Sequence, residues 1–125
     1  MRPPIAVAVV GAAAVALAAP RLVGGGEAAA TAARPTVTIR MGEFFFRPRQ
    51  VTVHVGQRVR FLNVGKIQHT VADTDARGSV RSRVIRPRPL DHGQAQVVRF
   101  TSPGNVSYVC TFHPTLMRGR IVVVR

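Results

Sequence analysis

The chain has 125 residues, room for one small domain and too few for a multi-domain enzyme. Hydrophobic residues make up 46% of it, enough to build a core and to exclude disorder by composition. Eighteen Lys plus Arg against five Asp plus Glu leave +13, a balance that favours acidic partners, and one cysteine, Cys110, excludes both an intrachain disulfide and a cysteine-only zinc cluster. All the basic residues but Lys66 are Arg, a usage that often reflects genome composition, so charge alone does not choose among anionic protein, lipid and nucleic acid.

Met1-Arg2 opens an apolar run from Ile5 to Ala19 that stops at Pro20-Arg21. Spanning a bilayer takes roughly 20 apolar residues, and the small residues of Ala16-Leu17-Ala18 form an A-x-A cleavage pattern. A secretory signal over 1–18 is therefore expected, with an uncleaved membrane anchor as the alternative. The mature protein would be exported to the periplasm, cell envelope or exterior. With no twin-Arg pair and no lipobox cysteine, export would follow the general pathway. Residues 19–34 pass through Gly24-Gly25-Gly26 and a mix of Ala and Thr with no apolar period, the composition of a flexible linker. The folded domain is placed at 35–125, where fourteen Arg and Lys66 against Glu43, Asp73, Asp75 and Asp91 leave +11.

Within the domain the apolar pattern has period 2 and no sustained helical repeat, so the fold is expected to be all-β. Thr36 to Met41, Gln50 to Val55 and Arg58 to Leu62 alternate, with Gly56-Gln57 as a tight connection. Val71, Val80 to Ile85, Gln94 to Phe100, Val106 to Cys110 and Arg120 to Val124 supply further strands, with Pro103-Gly104-Asn105 as a turn. Seven or eight short strands in so few residues imply a two-sheet Greek-key β-sandwich. Phe44, Phe45, Phe46, Phe61 and Phe100 are expected in its core, with Tyr108 on the same facing as Cys110. The segment from Asp73 to His92, with Arg77, Arg81, Arg83, Arg86 and Arg88, reads as a loop or poor edge strand. It serves either as a basic docking face or as a solvated insertion.

Chemistry concentrates in Cys110-Thr111-Phe112-His113-Pro114-Thr115-Leu116-Met117, which follows one strand and precedes another. Thiolate and thioether are soft donors and imidazole is borderline, a set that suits copper; one Cys, two His and a weak axial Met define a trigonal blue-copper site. The second histidine must come from elsewhere, and His69 in Gln68-His69-Thr70-Val71 is the candidate. His54 and His92 are expected to be solvated and to bind no metal.

These residues resemble those of small single-domain cupredoxins of the plastocyanin, amicyanin and pseudoazurin kind. The resemblance spans nearly all of 36–125: Phe44-Phe45-Phe46-Arg47-Pro48, Val55-Gly56-Gln57, Val59-Arg60-Phe61-Leu62-Asn63, His69-Thr70-Val71, and Tyr108-Val109-Cys110-Thr111-Phe112-His113-Pro114 into Met117 and Gly119. It implies one copper ion with His69, Cys110 and His113 as equatorial ligands and Met117 as the axial one. Asn63 and Thr111 would support them by hydrogen bonds, Asn63 by tying the His69 loop to the backbone beside Cys110. One spacing departs from the pattern. Three residues separate His113 from Met117, where amicyanin-like loops have two and plastocyanin-like loops four. Three is the azurin-like spacing; were the amicyanin backbone followed instead, Leu116 would fill the axial position and leave a three-coordinate site.

The resemblance implies a non-enzymatic electron carrier, a monomer that passes electrons to a redox protein partner through the edge of His113, and the Arg-rich surface predicts that the partner's docking face is acidic. The alternative is an envelope copper carrier or store that delivers the ion to an oxidase, which would call for extra Met or His near the site. Membrane-surface association would follow if the leader is retained. Nucleic acid is not an expected partner, because the stretch from Arg77 to Arg88 lacks the interleaved aromatics on which bases stack.

Overall fold

The structure, a computed structural model, describes residues 34–125. The leader expected over 1–18 and the linker expected over 19–34, Arg34 apart, lie outside the described residues. Eight strands follow in chain order: β1 (Val37–Gly42), β2 (Phe45–Arg47), β3 (Gln50–His54), β4 (Arg58–Asn63), β5 (Ala72–Asp73), β6 (Ala95–Arg99), β7 (Gly104–Val109) and β8 (Arg118–Val124). They form two four-stranded sheets, ordered β2-β1-β4-β6 and β3-β8-β7-β5. Both sheets are mixed, because β1 runs parallel to β4 and β3 parallel to β8, while every other pairing is antiparallel.

The alternation read from the sequence decides which face of each strand turns inward. In β4, Val59, Phe61 and Asn63 are buried and Arg58 and Arg60 are exposed; in β8, Ile121 and Val123 are buried between exposed arginines and half-buried neighbours. The core lies between the sheets, with Ile39, Met41, Phe46, Val59 and Phe61 from one and Val53, Tyr108, Ile121 and Val123 from the other. Tyr108 meets Phe46 and Phe61 edge-on, at ring-centroid distances of 4.8 and 5.3 Å. Burying an apolar ring such as that of Phe61 contributes on the order of 1.5–3 kcal/mol. Its register partner on β8 is Gly119, where a Cβ would overlap the Tyr108 phenol; only a glycine lets β8 pass there. Tight closure at His54 to Gln57, with Gln57 N–H donating to His54 O at 2.9 Å, carries the chain from β3 in one sheet to β4 in the other.

Several expectations are corrected. Val80 to Ile85 is not a strand: Val80 makes one isolated bridge to Thr74, and the segment is held instead by Asp73. That buried carboxylate accepts from the backbone N–H groups of Val84 and Ile85, each at 2.8 Å, and from Arg81 Nε at 3.1 Å. Local acceptance by a side chain replaces a sheet ladder, which strand propensity cannot foresee. Gly104 and Asn105 begin β7 rather than forming a turn, and the strand expected at Val71 is the two-residue β5. The strand β2, unassigned in the sequence, pairs with β1 through Arg40↔Arg47, Met41↔Phe46 and Gly42↔Phe45. Of the phenylalanines expected in the core, Phe46, Phe61 and Phe100 are buried, Phe45 is half-buried, and Phe44 is 44% exposed.

Candidate metal centre

Cys110 leaves β7 into a loop that folds back on itself before β8. Cys110 N–H donates to Met117 O at 3.1 Å, His113 N–H to Cys110 O at 3.1 Å, and Met117 N–H to His113 O at 3.0 Å. These bonds hold Cys110, His113 and Met117 at one end of the sandwich. His69 arrives from the segment that follows β4, fixed by a two-way bridge with Leu90: His69 N–H to Leu90 O at 3.1 Å and Leu90 N–H to His69 O at 2.9 Å. Residues far apart in the chain thus converge because the two sheets end together.

One donor atom from each of His69, Cys110 and His113 lies within 4.8 Å of the others. Cys110 Sγ is 3.8 Å from His69 Nδ1 and 3.7 Å from His113 Nδ1. Bonds of about 2.0 Å to imidazole nitrogen and about 2.3 Å to thiolate sulfur, spread in a trigonal plane, put nitrogen and sulfur about 3.7 Å apart. The donor set therefore fits one trigonally held ion, and its thiolate–imidazole chemistry fits copper. His69 and Cys110 are fully buried and His113 is half-buried. Burial holds the His69 imidazole below its ordinary pKa, against an opposing contact with Glu43, which favours the neutral ring that a metal requires. Met117 is fully buried in the same cluster as Cys110, whereas Leu116 is 64% exposed.

The supporting hydrogen bonds differ in part from those expected. Asn63 does tie down the His69 segment: its Nδ2 donates to Ile67 O at 2.9 Å and Leu90 O at 2.7 Å, and its Oδ1 accepts from Gly65 N–H at 2.7 Å. The link to the backbone beside Cys110 is made instead by Thr70, whose Oγ1 accepts from Thr111 N–H at 2.8 Å. Thr70 also directs its own N–H at Cys110 Sγ at 3.4 Å, and its hydroxyl lies 2.6 Å from that of Thr111. Reach decides the matter: Thr70 adjoins His69 and packs against the cysteine, whereas the Asn63 amide is used up on two carbonyls and one N–H.

The sequence reading gave Glu43 no role and expected Phe44 in the core, so neither was placed at the site. Phe44 lies tilted over the His113 ring at 4.6 Å and edge-on to His69 at 6.3 Å. Glu43 Oε1 accepts from Lys66 N–H at 2.6 Å and Ile67 N–H at 2.8 Å, and stands 3.4 Å from His69 Nε2. The Ile67 N–H foremost, with that of Lys66 and the histidine, holds the Glu43 carboxyl below its ordinary pKa. Both residues sit in the turn between β1 and β2, a strand pair the alternation did not reveal. His92 is exposed with Nδ1 2.8 Å from Gly65 O, and His54 is half-buried on β3; neither joins the cluster.

Comparison with known proteins agrees with this geometry. The family described as copper binding proteins, plastocyanin/azurin family, matches residues 33–124. Amicyanin-alpha of Methylorubrum extorquens is 30% identical over 97 residues, 78% of this chain and 79% of that protein. Amicyanin of Paracoccus versutus is 29% identical over 96 residues, 77% of this chain and 70% of that protein. Among solved structures, a purple cupredoxin from Nitrosopumilus maritimus superposes with a TM-score of 0.65 at 24% identity, over 70% of this chain and 98% of that one.

Proposed function

Because the chain belongs to the plastocyanin/azurin family of copper-binding proteins, a small cupredoxin with one copper ion as cofactor, we propose that it is an exported electron carrier and not an enzyme. The observation that carries this reading is the convergence of one donor atom from each of His69, Cys110 and His113 within 4.8 Å of the others at one end of the β-sandwich. In the proposed site these three would hold the ion, with the thioether of buried Met117 as the further donor. Copper bound there supplies a one-electron couple between Cu(II) and Cu(I).

The chain's own residues do the rest. Thr70 N–H, aimed at Cys110 Sγ, fixes the sulfur's place, and Asn63, Leu90 and Thr111 lock the two loops so that the donors keep one arrangement in both oxidation states. His113 alone among the three ligands reaches the surface, so a redox partner meets the site from its side. Arg49, Arg118 and Arg120 line a groove of about 460 Å³, and Arg118 Nε donates to Pro114 O at 2.9 Å, one residue from His113. That basic surface beside the ligand loop supports a partner with an acidic face. Storage or carriage of copper is the weaker reading, since Met41 is fully buried in the core and offers no second thioether for handing the ion on. Cleavage after a leader over 1–18, with 19–34 as a linker, completes the proposal for an exported monomer.

The test is the visible spectrum of the full chain after addition of Cu(II). An intense band at about 600 nm, lost in Cys110→Ala, is the expected result for thiolate bound in a blue site. Copper taken up without that band, or a band that survives Cys110→Ala, overturns the proposed ligand set.

A further inference from the structure

We infer that Glu43 is a positioning residue of the copper site, a carboxylate that grips the outer nitrogen of His69 and tunes the ion's preference between oxidation states. The inference rests on the reading of His69 as a ligand. His69 turns Nδ1 toward Cys110 Sγ and Nε2 toward Glu43 Oε1, 3.4 Å away, so the ring is held between a metal-facing and a carboxylate-facing nitrogen. With Nδ1 given to the metal, the proton stays on Nε2 and points at the carboxylate. A ligand histidine fixed in this way keeps one tautomer and one ring orientation and gains basicity.

Three features mark the contact as built into the fold. The same Oε1 accepts from Lys66 N–H at 2.6 Å and Ile67 N–H at 2.8 Å, so the carboxylate is anchored to the segment that delivers His69. Gly65 leaves room for it: a Cβ there would meet the Glu43 carboxylate at 2.5 to 2.8 Å. Asn63 Oδ1 in turn holds Gly65 N–H at 2.7 Å, and Val64 N–H donates to Met41 O at 2.9 Å, which ties this segment to the end of β1. A negative charge beside a ligand favours the more highly charged ion, so Glu43 stabilises Cu(II) over Cu(I) and lowers the reduction potential.

Removing a carboxylate that supports a ligand histidine typically weakens metal binding about tenfold or more. Glu43→Gln keeps an oxygen for the two backbone N–H groups and removes the charge. In the copper-loaded full chain it is expected to cut the Cu(II)-over-Cu(I) preference about tenfold, a rise of about 59 mV for a one-electron couple. Gly65→Ala, which leaves the charge in the molecule but pushes it off the loop, is expected to move the potential in the same direction. In the diamagnetic Cu(I) protein, nitrogen NMR should find His69 protonated at Nε2 with its proton shifted downfield, and that shift should shrink in Glu43→Gln. If Glu43→Gln keeps the blue band and changes the preference by twofold or less, or if wild-type Nε2 carries no proton, the role of Glu43 is refuted and the ligand set stands. If the wild-type chain gives no thiolate band, the ligand reading itself falls and the inference falls with it.

Discussion

Leu116 and Met117 are chain neighbours in opposite environments, one 64% exposed and the other fully buried in the cluster that contains Cys110. Leucine has no atom to offer a metal and its side chain faces solvent, while the thioether is directed inward by the bond from Cys110 N–H to Met117 O. Met117→Ala is therefore expected to retain copper and the thiolate band but to raise the reduction potential, whereas Leu116→Ala leaves both unchanged. Voltammetry of the two variants checks this; an unmoved potential in Met117→Ala would remove the residue from the site. That Cys110, His113 and His69 would gather as candidate donors was legible from residue type, spacing and the family resemblance. Thr70 was not, because the signal for its role is the packing of its hydroxyl against Cys110 and Thr111, a contact between segments forty residues apart that no local pattern encodes.

At the scale of elements, the segment from Asp73 to Leu90 leads from β5 in one sheet toward β6 in the other and delivers Leu90 to the bridge with His69. It has little regular structure and depends on one carboxylate. Burial alone would raise the Asp73 carboxyl, but the N–H groups of Ile85 and Val84 and the Arg81 guanidinium outweigh it and hold the pKa below the ordinary aspartate value. A group whose folded pKa lies below its unfolded one stabilises the protein above the unfolded value, about 3.9, and loses that contribution as pH falls through the folded value. Hydrogen bonds to a charged group are worth about 1.5–3 kcal/mol each at most, so Asp73→Asn is expected to cost about 2 kcal/mol near neutrality. Thermal unfolding of the metal-free wild type and variant should show the gap closing below about pH 4. A gap independent of pH would assign the stabilisation to shape and not to charge.

The whole molecule carries +13, and basic residues stud the outer faces of both sheets. Charges of one sign steer encounter over a Debye length of about 10 Å at 0.1 M salt, so the effect is strong in dilute buffer and weak above it. Reduction of the copper-loaded protein by an anionic metal complex is expected to slow as ionic strength rises. Electron exchange between two copies of the protein is expected to quicken, because salt screens their mutual repulsion. Stopped-flow rates across a salt series measure the first and NMR line broadening the second; rates that ignore salt would show that the docking face is not the basic one.

Period-2 alternation told most of this fold, since each strand that packs one face on the core must repeat with the pleat; it identified β1, β3, β4, β6, β7 and β8 from Val, Ile and Phe positions. Copper was legible because a thiolate, two imidazoles and a thioether suit an ion that cycles between Cu(I) and Cu(II), and the family resemblance singled that ion out. Other features depended on three-dimensional closure. Strand β2 exists because Phe45 to Arg47 finds β1 beside it, Val80 to Ile85 stays out of a sheet because Asp73 claims its N–H groups, and Met117 rather than Leu116 turns inward because the loop closes onto Cys110 N–H. Glu43 gained its place beside His69 in the same way, across 26 residues of sequence. A residue's type is written in the chain, but its partners are chosen by whichever segments the folded backbone brings within reach.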